Sequence, residues 1–211
     1  MKTNNFIRTF TDYINHNRLK FFFVFLCLVT GSIIGSLSAI SLGDDRYTSL
    51  TSYMDNFLSA YNLQPISRGN VFANSIYNNI KLLLFLWLSG IWIGFIPVGL
   101  IHLGIKGYKL GFTLTFLFQV YHWKGLLLII VSLVPQLIFM IPILVFYMVF
   151  NMNFSVKIRG LKQKGHRFFD DREMCFKNLI FLLCVMLVML ICSLIDGFVI
   201  PSVLRPVSLI F

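Results

Sequence analysis

The chain has 211 residues, of which 57% are hydrophobic, 16% aromatic and 12% charged, with a formal net charge of +10. Soluble domains carry about 25% charged and roughly 45–50% apolar residues, so half the usual charge cannot cover the surface of a water-soluble globule. A soluble all-β or α/β enzyme is excluded, as is a disordered chain, and lipid is the expected solvent for much of the molecule.

Eighteen Lys and Arg stand against eight acids, in blocks between apolar runs. Such blocks predict basic cytoplasmic loops and no nucleic-acid partner. Too little chain lies outside the apolar runs for a separate soluble domain. One membrane domain, 1–211, is expected.

Charge-free windows locate five spans, at about 21–43, 82–105, 105–123, 125–150 and 178–197. The first exceeds the roughly 7–15 apolar residues of a signal peptide, so an uncleaved anchor is expected. It contains Gly31 and Gly35, a GxxxG pair of the kind that lets helix backbones approach in lipid.

A polar loop, 44–81, follows. In it Leu50, Tyr53, Met54, Phe57, Leu58 and Tyr61 recur at helical spacing, which predicts an amphipathic helix capped by Thr48 or Ser49. Such a helix either lies on the lipid surface or packs on a partner. For the partner case, Tyr53, Phe57 and Tyr61 are the candidate contacts, since interface anchors are often aromatic. A second helix is expected to start near Asn70 and run into the next span.

That span contains Gly90, Gly94 and Pro97. The third window is short unless Lys106 and Lys109 snorkel from an inner turn at 106–109. Charge decides whether it spans. With five spans and the N-terminus inside, the inner segments hold thirteen Lys and Arg and the outer ones five, as the positive-inside rule requires. A re-entrant third window would put the basic loop 157–177 outside. Gly107 and Gly111 give another GxxxG pair, as do Gly90 and Gly94. These pairs fit a compact bundle or a homo-oligomer. In the fourth span Pro135, Gln136 and Pro142 are expected to mark helix kinks, with Pro97 doing so in the second.

Catalysis is not expected. The windows show no Glu or Lys at mid-depth, Asp196 falls at the outer end of the fifth, and no HExxH set occurs. Ser89 and Ser132 are single serines suited to bonding a backbone carbonyl. Cys27, Cys175, Cys184 and Cys192 form no CxxC or zinc spacing and read as small hydrophobes. No metal or cofactor is expected. Broken helices can still build a transport site from backbone, so a transporter or permease subunit is the alternative.

One ordered set of residues is distinctive. Asn78-Asn79-Ile80-Lys81 precedes Gly90, Gly94 and Pro97. Then follow Lys106-Gly107-Tyr108-Lys109-Leu110-Gly111-Phe112, Trp123-Lys124-Gly125, Val134-Pro135-Gln136 and Ile141-Pro142. In order and spacing this resembles the stage II sporulation protein M family. The five-span layout and basic inner loops extend the resemblance over the whole chain, in keeping with the fold read from the residues: an all-α polytopic membrane protein with five transmembrane helices plus an external amphipathic helix. The resemblance implies a place in the mother-cell membrane that engulfs the forespore. There it would scaffold peptidoglycan hydrolases resembling stage II sporulation proteins D and P. Broader relatives carry a His after the first proline and a Glu before the second. Gln136 and Ile141 stand there in this chain, which favours the sporulation branch.

Overall fold

In the computed structural model, residues 8, 11–63, 68–163 and 172–199 are described, and their regular structure is entirely helical. α1 spans Arg18–Ile40, α2 Asp44–Leu63 and α3 Arg68–Ile91. A 3-10 turn, Ile93–Phe95, leads into α4, Ile96–Ser132. α5 is Val134–Gln163 and α6 Arg172–Leu194, which ends in a π turn, Ile195–Val199. Among the described residues, five helical segments are long and apolar enough to cross a membrane: Arg18–Ile40, Gly69–Ile91, Ile93–Ser132, Leu137–Gly160 and Phe176–Phe198.

The crossings alternate in direction. Leu28 and Ser32 of α1 meet Gly107 and Gly111 of α4, so these two run parallel. Ser75, Asn79 and Trp87 of α3 bond Asp196, Ser193 and Asn178 respectively, so α3 and α6 run antiparallel. Phe21 of α1 packs edge-on against Phe146 of α5, and Lys20 donates to Asn153. Asn17 therefore lies at one end of the bundle and Asp196 toward the other.

α5 is the most buried of the five. Its Met140, Leu144, Tyr147 and Met148 meet Val24, Leu83, Leu86, Leu103 and Met189 in one apolar core. Phe22, Phe25, Ile33, Leu37, Leu183, Leu187 and Leu190 face outward. A rim this apolar suits hydrocarbon and not water.

The second crossing differs from the sequence expectation. The predicted inner turn at 106–109 does not form. α3 ends at Ile91, Trp92 is extended (φ −132°, ψ 127°), and the turn lies at 92–95. Pro97 occupies the first turn of α4, where a residue without N–H costs no helix bond. It starts a helix instead of kinking one. Lys106 and Lys109 consequently sit inside a continuous helix, and Lys81 inside α3. The observed spans, unlike the charge-free windows, therefore carry lysine near their middle. Charge-free windows misplace the crossing because they cut every helix at its lysines.

α4 turns sharply at His122 (φ 48°, ψ −123°). Its second limb, 123–132, folds back, so that Gly125 lies against the Leu117 carbonyl of the first limb. Leu133 keeps helical backbone angles (φ −102°, ψ −41°), donates to the Ile129 carbonyl and accepts from Leu137, so the helical path runs on into α5 past Pro135 and Gln136, whose side chains are outside the described residues. Pro142 lies within α5. α2 begins at Asp44, four residues before the expected cap. Asp44 and Asp45 fill its first turn, where negative charge opposes the helix dipole favourably.

Candidate functional site: glycine seam, intramembrane charge and outer helix

The glycines of α1 and α4 bring the two backbones into close approach. A Cβ on Gly31 would overlap the Gly104 carbonyl, and one on Gly35 the Tyr108 carbonyl. A Cβ on Gly107 or Gly111 would overlap the carbonyls of Leu28 and Ser32. The two GxxxG pairs thus interleave, and Ser36 Oγ donates to the Gly111 carbonyl at 3.3 Å. Gly104, at three and seven residues before Gly107 and Gly111, belongs to the same face. The sequence reading missed it, although that spacing is visible in the chain. Gly90 sits against Asn151 of α5, whose Oδ1 would lie 2.6 Å from an added Cβ. Gly94 is not in a helix interface. It lies in the 92–95 turn, and an added Cβ would meet nothing nearer than Trp92 at 3.9 Å.

A polar ladder joins α3 to α6. Ser75 Oγ donates to Asp196 Oδ2 at 2.5 Å, and Asn79 Nδ2 donates to Ser193 Oγ at 3.0 Å. Asp196 is thus half-buried and bonded, not water-exposed as its place in the sequence suggested. Trp87 Nε1 donates to Asn178 Oδ1 at 3.2 Å. These bonds fix the α3–α6 register, because an unpaired polar group in hydrocarbon is costly. Ser89 and Ser132 donate to the carbonyls of Leu86 and Leu128, each at 2.6 Å. They are spent on backbone and are not poised as nucleophiles. Cys27, Cys184 and Cys192 are free thiols; Cys184 faces outward, and the Cys175 side chain lies outside the described residues.

His102 of α4 stacks on Phe85 of α3, with centroids 4.5 Å apart. Lys81 and Lys109 lie within charge reach of this imidazole, and Lys106 within reach of Asp196. At the other end, Tyr13 accepts a 2.9 Å bond from Asn153, and burial pushes its phenol above the ordinary value. This contact ties the chain ahead of α1 to α5.

α2 lies beyond the bundle, and among the described residues two of its side chains are tied to α4. Tyr47 packs edge-on against Phe116, and Tyr121 donates to Asp55 at 2.7 Å. Tyr47, Leu50, Thr51 and Met54 are half-buried on the inward face. Tyr53 points away and is 69% exposed. The side chains of Phe57 and Tyr61 lie outside the described residues, though the helix backbone continues through them. Between α1, α2 and α4 opens a cleft of about 900 Å³ lined by Ser38, Asp44, Asp45, Arg46, Tyr108 and Phe112 among others.

No curated protein and no solved structure matches the chain. The family model described as Stage II sporulation protein M matches residues 24–201, which takes in most of the first crossing, the other four, the glycine seam and the outer helix. With a match of that extent, this multi-pass membrane protein belongs to the stage II sporulation protein M family.

Proposed function

We propose that this sporulation-family membrane protein is a non-enzymatic scaffold. On this reading it recruits or organises peptidoglycan hydrolases resembling stage II sporulation proteins D and P in the mother-cell membrane during engulfment. The observation that carries the reading is α2. It is held on one face by Tyr47 and Asp55 and leaves Tyr53 exposed on the other, as an adaptor surface should.

Sidedness supports it. With the crossings redrawn, eleven Lys and Arg fall in the loops or terminal helix turns at the Asn17 end, four fall toward the other end, and three, Lys81, Lys106 and Lys109, fall near the middle of spans. The positive-inside rule then puts Asn17 in the cytoplasm and α2 on the opposite side, where wall enzymes work. The serines bonded to backbone supply no nucleophile, which fits a role in assembly.

The test replaces Tyr53, Phe57 and Tyr61 together by Ser. Co-purification of both hydrolases is expected to fall at least roughly tenfold, which corresponds to 1.4 kcal/mol, with engulfment stalling while membrane levels hold. Full recovery of both hydrolases with normal engulfment would remove α2 from the mechanism.

A further inference from the structure

We infer that the outward face shared by α3 and α4 is a docking site for a transmembrane helix carrying a carboxylate at mid-membrane. The inference goes beyond the scaffold reading and rests on intramembrane charge, not on α2.

Lys81 lies ten residues before Ile91, and Lys106 ten residues after Ile96. At about 1.5 Å of rise per residue, both stand roughly 15 Å from the 92–95 turn. That is half the thickness of a hydrocarbon core of about 30 Å. Lys109 is one turn further along α4. His102, Lys106 and Lys109 share one helix face, at i, i+4 and i+7. His102 stacks on Phe85 and lies within charge reach of both Lys81 and Lys109, so these two lysines flank a single seam. Lys81 and Lys109 are exposed, among outward-facing Leu84, Leu88, Ile101 and Ile105. An apolar strip with cations at its middle is the complement of a helix with an acid at its middle.

Lys106 lies within charge reach of Asp196, whereas among the described residues no hydrogen bond or ion pair holds Lys81 or Lys109. The four-carbon stem of lysine falls short of an interface about 15 Å away for Lys81 and Lys106 and about 10 Å away for Lys109. Ionisable groups at this depth normally pair with one another. Asp196 is the sole acid in the five crossings and accepts from Ser75. A second copy would add three more such lysines and one more such acid, and cannot balance the charge. Lipid phosphates lie at the interface, too far away. The remaining source is an acid on another chain's transmembrane helix.

The test uses the full-length chain in vesicles of neutral phosphatidylcholine, with a fluorescent donor on the chain. Acceptor-labelled Leu/Ala helices of about 20 residues carry Asp, Asn or Leu at the centre. The Asp helix is expected to associate roughly tenfold more tightly than the Leu helix, with Asn between. In the combined Lys81→Met, Lys106→Met, Lys109→Met variant the three helices should associate alike. Equal association with the unaltered chain would overturn the proposal, whether or not the variant folds. So would an Asp preference that survives in a folded variant. Abolition of the preference by phosphatidylglycerol would assign the lysines to anionic lipid and also overturn it. Serine at Tyr53, Phe57 and Tyr61 should leave the preference intact, which separates this site from the α2 reading.

Discussion

A single methyl group decides whether α1 and α4 can meet. Glycine inside a helix normally costs about 1 kcal/mol against alanine, so Gly→Ala should stabilise a helix that touches nothing there. At Gly31 the new Cβ would instead overlap the Gly104 carbonyl. Backbone cannot swing aside as a side chain can, and overpacking of this kind costs about 1–3 kcal/mol. Gly31→Ala is therefore expected to lower the Tm of the detergent-extracted protein despite its gain in helix propensity. Gly94→Ala, in the open 92–95 turn, should change stability by no more than about 0.5 kcal/mol. Equal Tm values for the two variants would show that the seam is looser than its carbonyl contacts indicate.

The elements are defined by backbone chemistry as much as by hydropathy. A window from 82 to 105 reads as one span because no charge interrupts it, yet Trp92 leaves the helical region and Pro97 restarts the helix. If Pro97 lay inside a continuous helix, removing it would restore a hydrogen bond and stabilise by about 3 kcal/mol. In the first turn of α4 its missing N–H has no intrahelical partner to lose. Pro97→Ala is accordingly expected to shift stability by less than about 0.5 kcal/mol, read by thermal unfolding in detergent. The helix count, the amphipathic α2 and the glycine spacing were legible because each is a local, periodic pattern. The register of α3 against α6 was not, since Ser75, Asn79 and Ser193 look like ordinary polar residues until two distant helices bring them together. The reversal at His122 was also hidden: a positive φ is a glycine property, and histidine gives no sign of it. Lys106 and Lys109 misled for another reason. A lysine usually marks a loop end in lipid, and nothing local distinguishes one held at mid-depth.

At the scale of the molecule these details converge on where the chain turns. The sequence reading and the structure both give five crossings with Asn17 and Asp196 toward opposite ends, but they turn at different places. One puts water at 106–109 and the other at 92–95. The positive-inside imbalance survives either way, at thirteen against five or eleven against four, so charge counting alone does not choose between them. Accessibility does. In a chain with Cys27, Cys175, Cys184 and Cys192 replaced by Ala, Gly94→Cys should react with a membrane-impermeant maleimide in inverted vesicles and resist it in intact cells. Lys109→Cys, about 20 Å along α4 from the turn by helix rise, should stay unlabelled in both. Labelling of the cysteine at 109 from the cytoplasmic side would restore the 106–109 turn. It would also return the lysines to water and remove the intramembrane charge that calls for an acidic helix. The same labels on a cysteine at 53 test the outward placement of α2, because five alternating passes carry that helix across whenever position 94 is cytoplasmic.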